Sequence, residues 1–437
     1  MTKTSIGVQE LRKRIGDKAK ADPHHRFWGL YTHVWKLDVL REAYLLAKQN
    51  KGAPGMDGVT FQQVEAEGVE QLLVSLSQEL RDKTYRPLPC RQVDIPKDGG
   101  KVRGLKIPAI RDRVVQGAVR LVLESIFEAD FQPGSYGYRP NRTPHQALER
   151  VSEGLGKRLH WAIDLDLKSY FDTVRHDLLL SKLAQRIQDD DLMWLCKRIL
   201  KSGGQRGLPQ GSVIGPLWAN VFLNDIDRML ERVQVVTKQG RYEVVRYVRF
   251  ADDLVVLISS HPTARHWVAK VERRLREELA KLDLTVNEEK SRVVNLGAGA
   301  GEPLDFLGYT LRWVTSRKNP GKKTVLSRPQ RKRRIRFLRE LRDVLRRHLH
   351  VKVADVVRTV VNPRVRGWVN YFRWGNPGRD LSFVAWEVER KVRLFASRQR
   401  PKRSGGRRWT KWSTEEIYDR WSLFGDYRVS WCSVPSG

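Results

Sequence analysis

Cysteine is nearly missing from this chain: three residues in 437, at Cys90, Cys196 and Cys432. A trio so widely spaced builds neither a disulfide framework nor a thiolate zinc cluster, and it suits a reducing compartment. Long apolar runs are missing too. No stretch approaches the roughly 20 apolar residues of a spanning helix, and the N-terminal MTKTSIGVQELRKRIGDKAK is basic without the apolar block of a secretion signal. The expectation is a cytoplasmic protein with no membrane partner. Acidic residues are the third scarcity, 50 Asp+Glu against 82 Lys+Arg, for a net charge of +32 and a pI near 10.3. That balance is far from an ordinary enzyme's and points to a polyanionic partner, nucleic acid before membrane surface.

Apolar and aromatic material is plentiful. Hydrophobic residues make up 40%, with 14 Trp and 13 Phe, enough for a folded core. The length favours two or three domains. Charge is unevenly spread: from Leu311 to Gly437 there are 33 Lys+Arg and 10 Asp+Glu, so 23 of the net +32 lies there. Trp313, Trp368, Trp374, Trp386, Trp409, Trp412, Trp421 and Trp431 stand among these cations, as packing surface or as stacking platforms.

The apolar spacing predicts helices over Phe27–Lys48 and Val64–Asp82, with turn chemistry at Lys51–Gly58 between them. Gln92–Pro108 reads as strand, Lys97–Gly100 turn, strand. From Trp161 to Tyr309 strands and helices alternate, as in an α+β domain. Trp161–Leu167 reads as a strand that sends Asp164 and Asp166 to one face and Ile163, Leu165 and Leu167 to the other. Val244–Phe250 and Leu254–Ser259 flank Ala251-Asp252-Asp253 as a tight hairpin, and a helix is expected over Ser212–Leu230. Pro329 suits a helix start, followed by Ile335, Leu338, Leu341, Leu345 and Leu349 on one face; a second stripe is Leu381, Val384, Val388, Val392 and Phe395. Ser404–Arg408 reads as a basic link before a Trp-rich tail.

Scarce acids make strand-borne Asp166 and the Asp252-Asp253 tip informative. Carboxylates converging from two strands repel unless a cation lies between them, and Mg²⁺ is the hard ion that accepts few protein ligands plus substrate phosphates. An Asp-Asp tip alone is more often a turn than a site.

The ordered set is more specific. Asp166-Leu167-Lys168-Ser169-Tyr170-Phe171-Asp172, Gly207-Leu208-Pro209-Gln210-Gly211-Ser212, Phe250-Ala251-Asp252-Asp253, Asn287-Glu288-Glu289-Lys290 and Phe306-Leu307-Gly308-Tyr309 resemble the successive palm motifs of reverse transcriptases. Upstream, Ile95-Pro96-Lys97, Arg103-Gly104-Leu105-Lys106-Ile107-Pro108, Asp112-Arg113 and Tyr136-Gly137-Tyr138-Arg139-Pro140 resemble the fingers of the group II intron branch, and Gly367-Trp368-Val369-Asn370-Tyr371-Phe372 is similar to its maturase signature. The resemblance implies an α+β right-hand polymerase. Its expected parts are an N-terminal helical extension and start of fingers (1–80), fingers and palm (81–310), a helical thumb or maturase region (311–400) and a basic tail (401–437). It implies an RNA-directed DNA polymerase with two Mg²⁺ ions on Asp166, Asp252 and Asp253, and Lys290 as proton donor to pyrophosphate. Lys97, Arg103 and Arg113 would hold the incoming dNTP, Phe171 would gate its sugar, and Gln210 and Gly211 would support template and incoming base. The basic run Arg331, Lys332, Arg333, Arg334, with Trp368, is the expected RNA surface; the partners are structured RNA, primer–template and dNTPs.

Three features depart from the family pattern. Phe250 stands where Tyr is usual, Arg-Gly-Leu-Lys-Ile-Pro replaces the commoner Arg-Pro-Leu-Gly-Ile-Pro, and no Cys/His nuclease cluster follows Tyr371. Two other readings fit the same motifs: a maturase that binds RNA without polymerising, and a domesticated enzyme of host repair or defence.

Overall fold

The computed structural model describes residues 6–96, 102–238, 240, 242–297, 302–316, 319–399 and 412–430. They form two compact units, Met1–Ala147 with Ile163–Arg292, and Leu148–Ala162 with Val293–Gly437. The boundary after residue 310 expected from sequence does not coincide with this division, because the strands that follow residue 292 belong to the second unit.

In the first unit the helix expected over Phe27–Lys48 is two, Tyr31–Val34 and Leu37–Gln49, since Lys36 takes extended backbone (ψ 135°) between them. Val64–Asp82 likewise divides, into Phe61–Glu67 and Val69–Arg81, at Gly68, whose φ of +110° no other residue type adopts readily. Thr60 closes the first of these in a reciprocal cap with Gln63. The long helix Ile110–Asp130 is buried along most of its length. Its Asp112 accepts from the Tyr85 hydroxyl at 2.7 Å and the Leu88 amide at 3.0 Å, pinning the proline-rich segment to the core. Burial holds that carboxyl above its ordinary range, against the pull of those two bonds.

Strands β1 (Arg91–Pro96) and β2 (Val102–Ile107) pair antiparallel, with Arg91 opposite Ile107, as the pattern predicts. A four-stranded sheet holds β3 (Trp161–Leu165), β4 (Val245–Phe250), β5 (Asp253–Ile258) and β6 (Arg292–Asn295) in the order β4-β5-β3-β6. The helix Gly215–Thr237 packs on β4 and extends past the expected end at Leu230.

The second unit carries β7 (Leu304–Phe306), β8 (Tyr309–Thr315) and β9 (Lys323–Pro329) as an antiparallel sheet. The region expected to be helical from residue 311 therefore opens with strand. Pro329 ends β9 instead of starting a helix; β9 is an edge strand, where a missing N–H is tolerated. The helix Arg331–Arg347 follows, and Phe337, Leu338, Leu341 and Leu345 pack with Val384, Val388, Val392 and Phe395 of the helix Gly378–Arg398. Each such side chain contributes about 1.5–3 kcal/mol by leaving water. Ile335 and Leu349, expected on that face, are 44% and 41% exposed. Phe337 takes the position that Ile335 misses by angle, and Leu349 lies beyond the helix end.

Candidate active site

β3 delivers Asp166. Ile163, Leu165 and Leu167 are buried while Asp164 and Asp166 stay partly open, so strand alternation separates packing from chemistry as expected. Segment 285–291 is laced against the strand end: Lys168 N donates to Thr285 O at 2.9 Å, Asn287 N to Asp166 O at 2.9 Å, and Asp166 N to Ser291 Oγ at 3.1 Å. The Asp166 carboxylate then accepts at Oδ2 from Lys290 Nζ and from Asn287 Nδ2, both at 3.0 Å. Lys290 meets Asp166 as the motif order suggests. Asn287, which the sequence reading passes over, stands in the same four-residue motif and would have been found there. Asp164 is drawn aside by Arg292 Nε at 3.4 Å.

The β4–β5 hairpin delivers the other carboxylates, with Phe250 paired to Asp253 and Ala251 at φ +59° between them. A non-glycine residue in the left-handed region needs support. Arg249, 1% exposed, provides it with every N–H of its guanidinium group. Nε and Nη2 donate to Asp227 at 2.8 and 2.5 Å, Nη2 also to Ser135 Oγ at 2.7 Å, and Nη1 to Asn220 Oδ1 at 3.0 Å and Ala251 O at 2.8 Å. Gly137 lies so close that a Cβ there would come within 2.2 Å of Ala251 N. The hairpin tip is thus clasped from inside by groups that only the fold brings together.

Asp253 has an open surface toward water, yet protein atoms crowd it closely. This desolvation, followed by the nearby carboxylates of Asp252, Asp166 and Asp164, pushes its carboxyl up to about 6, with Lys290 pulling the other way.

Asp166 and Asp252 line a cavity of about 1020 Å³ together with Tyr138, Phe171, Asp172, Gln210 and Lys290. Phe171 follows Ser169 (φ +50°) on the short helix Tyr170–Thr173; its ring is half-buried and meets Tyr138 edge-on at 6.4 Å. Tyr170, fully buried, anchors that helix through its hydroxyl to Ala219 O at 2.6 Å. Gln210 Nε2 reaches the Asp172 carboxylate at 3.2 Å, and its carbonyl accepts from Lys106 N at 2.8 Å. Gly211 has φ +131°, and a Cβ would stand 2.7 Å from Lys106 O, so this turn seats directly on β2. Arg113 is elsewhere. It is buried, with its guanidinium donating to Pro108 O at 2.9 Å and to Ala53 O, so it ties loop 51–58 to the core and does not line the cavity. Lys97 lies outside the described residues; Arg103 pairs with Ile95 through its backbone, and its side chain is outside the description.

Among the described residues no trio of carboxylate, imidazole or thiol groups stands close enough to form a ready-made ion cage. The cleft offers carboxylates in mutual repulsion beside open volume. That donor set suits an ion that completes its shell with water and substrate phosphates.

Residues 95–311 match the family described as reverse transcriptase (RNA-dependent DNA polymerase), and residues 334–414 match the group II intron maturase-specific domain. Protein YkfC of Escherichia coli K12 is 34% identical over 75% of this chain and 94% of its own length. The group II intron-encoded protein LtrA of Lactococcus lactis is 24% identical over 87% of this chain and 76% of its own. This chain belongs to the group II intron reverse transcriptase and maturase family. A solved telomerase from Candida tropicalis is similar with a TM-score of 0.39 and 16% identity over 55% of this chain and 58% of its own.

Within the family's reverse transcriptase region fall all the cavity residues named above; Arg334 and Trp368 fall within its maturase-specific region. Arg331, Lys332 and Arg333 are exposed on the first turn of the helix Arg331–Arg347. Arg334 is not part of that surface. It turns inward to the Asp380 carboxylate, which also accepts from Arg328 at 2.7 Å, and lies 4.6 Å over the Phe383 ring. Trp368 also packs, stacked on Phe337 at 5.2 Å and against Phe372 at 4.7 Å at the edge of the apolar core. The ring is partly buried and one side of it is taken up by this packing.

Proposed function

We propose that this chain is an RNA-directed DNA polymerase working by a two-metal mechanism with Mg²⁺, and that it also holds intron RNA to assist splicing, as a cytoplasmic ribonucleoprotein. The observation that carries the reading is a single cavity uniting Asp166 and Asp252 with a half-buried aromatic ring and an ammonium group. Asp166, Asp252 and Asp253 would hold the ions. Bound there, Mg²⁺ supplies activation of the primer 3′-hydroxyl and charge neutralisation at the departing pyrophosphate.

The side chains divide the remaining work. Lys290 Nζ, held at Asp166, is the candidate proton donor to the leaving oxygen. The Phe171 ring closes the space beneath C2′, which excludes a 2′-hydroxyl and selects deoxyribose. Gln210 and Gly211 support template and incoming base, while Lys97 and Arg103 bind the triphosphate. Arg331, Lys332 and Arg333 meet the phosphates of structured RNA.

Primer extension on an RNA template with dNTPs and Mg²⁺ tests this directly. Wild type should extend the primer and stop when the metal is chelated; a folded protein that never extends overturns the reading. Phe171→Ala should raise ribonucleotide use relative to dNTP by about tenfold or more; an unchanged ratio leaves Phe171 a packing residue.

A further inference from the structure

The first unit carries a second concave surface, of about 520 Å³, that the proposed reaction does not use. Arg86 and Pro87 form one wall; Trp194, Lys197, Arg198 and Lys201 of the helix Asp190–Ser202 form the other. Among the described residues none of these four cations has a carboxylate partner, whereas nearby Lys83 is paired with Asp191 at 2.7 Å. Helix polarity accounts for Lys201, which sits in the last turn. It does not account for Arg86, which comes from another segment.

Two guanidinium groups lie over the ring of Trp194, Arg198 at 4.3 Å and Arg86 at 5.9 Å from its centre. A neutral ring can orient cations without neutralising them, so two like charges are held close with their fork geometry fixed. The arrangement is rigid on both sides. Arg86 Nη1 donates to the carbonyls of Lys83, Thr84 and Tyr85 at 3.0–3.2 Å, and Asp112 pins Tyr85 and Leu88 from beneath. Lys197 and Lys201 are exposed one helical turn apart, about 6 Å along the axis. Uncompensated, preorganised cations in a row along a groove are the complement of a phosphodiester chain.

The chain itself links one wall of the groove to the cavity that holds Asp166 and Asp252. The helix Asp190–Ser202 runs on into the turn that ends in Gln210, and Lys106 of β2 fastens that turn by donating to Gly203 O. We infer that this groove binds the sugar–phosphate backbone of the RNA template where it is still single-stranded, beyond the primer end. A concavity of this size takes one strand, and the template overhang is the single strand that a primer–template presents. The inference rests on the polymerase reading. The same chemistry could come from another RNA bound in trans, so the test separates the two.

The experiment uses the full-length chain and fluorescence anisotropy at several salt concentrations. The ligands are a blunt RNA–DNA duplex, the same duplex with a 5′ RNA overhang, and a structured RNA without the duplex. The groove variant is Arg86→Gln, Lys197→Gln, Arg198→Gln and Lys201→Gln; the control removes the same charge from an exposed helix, Arg265→Gln, Lys270→Gln, Arg273→Gln and Lys281→Gln. Wild type and control should gain affinity from the overhang. The groove variant should lose that gain, its log–log salt slope on the overhang substrate flattening by up to about 3, at roughly 0.7 per single-strand contact. Trp194→Phe, which keeps a ring and the fold, should lose part of it. An undiminished gain in the groove variant overturns the inference, and so does a loss confined to the structured RNA. Failure of the polymerase reading looks different: wild type would extend no primer, whatever its binding.

Discussion

Two helices of nearly equal length, one in each unit, show how misleading a count of charges is. His266–Lys281 buries Val271, Leu275 and Leu279, and most of its cations are matched: Arg274 with Glu278 at 2.6 Å, Arg276 with Glu272 at 3.0 Å and Glu288 at 2.6 Å, and Lys281 with Glu278 at 2.9 Å. Arg331–Arg347 buries Phe337, Leu338, Leu341 and Leu345 by the same construction, but Arg331, Lys332 and Arg333 have no carboxylate among the described residues. A matched cation has little left to offer a phosphate; an unmatched one releases a counterion when it binds. The cleft around Asp166 and Asp252 inverts the second helix, with carboxylates crowded together and Lys290 as their cation.

The largest effect should come from the inverted case. Asp166→Ala or Asp252→Ala should lower extension by at least about a thousandfold, about 4 kcal/mol of transition-state stabilisation, while circular dichroism stays at wild type. Substantial extension by folded Asp252→Ala would remove the cleft from the comparison.

Next is the clasp behind the hairpin. Arg249→Lys retains the charge beside Asp227 but cannot also reach Ser135, Asn220 and Ala251. A displacement of the carboxylates by about 1 Å can cost about a hundredfold, so kcat should fall by that order with the KM for dNTP close to wild type. A KM effect with kcat intact would make the clasp a scaffold for nucleotide binding instead.

The two helices can be set against each other directly. Arg331→Gln, Lys332→Gln and Arg333→Gln should flatten the salt slope of structured-RNA binding by up to about three units, at about one per contact. Arg273→Gln, Arg274→Gln and Arg276→Gln should leave the slope alone and cost about 0.3–0.5 kcal/mol of stability per helix pair. Equal slopes for the two triple variants would end the distinction between matched and unmatched cations.

The smallest effect concerns pH. Asp253 titrates near 6 in the folded chain and near 3.8 when unperturbed, so between those values the folded state binds more protons than the unfolded state. Stability without metal should therefore fall as pH rises from about 4 through 6, and Asp253→Asn should flatten that fall. Thermal melts across the window in chelator decide it; a parallel decline in Asp253→Asn places the titration elsewhere.

The order of motifs, the α+β class, the β3 alternation and the Asp252-Asp253 hairpin follow from the sequence by itself, because period-2 burial and turn chemistry are local properties of the chain. So does the fact that charge is concentrated toward the C-terminus. Which cations are available was decided only by tertiary structure. Arg334 belongs to the same basic run as Arg331–Arg333 yet turns to Asp380, far along the sequence, and Arg113 disappears under loop 51–58. Trp368 looks like its fellow tryptophans until Phe337 and Phe372 pack against it. Arg249, adjacent to the Asp252-Asp253 tip, reads as one more surface arginine until Asp227 and Asn220 of the helix Gly215–Thr237 and Ser135 from another segment converge on it. A side chain's charge is written in its residue type, but whether that charge is spent inside the protein or left for a ligand depends on partners that only folding brings within hydrogen-bond reach.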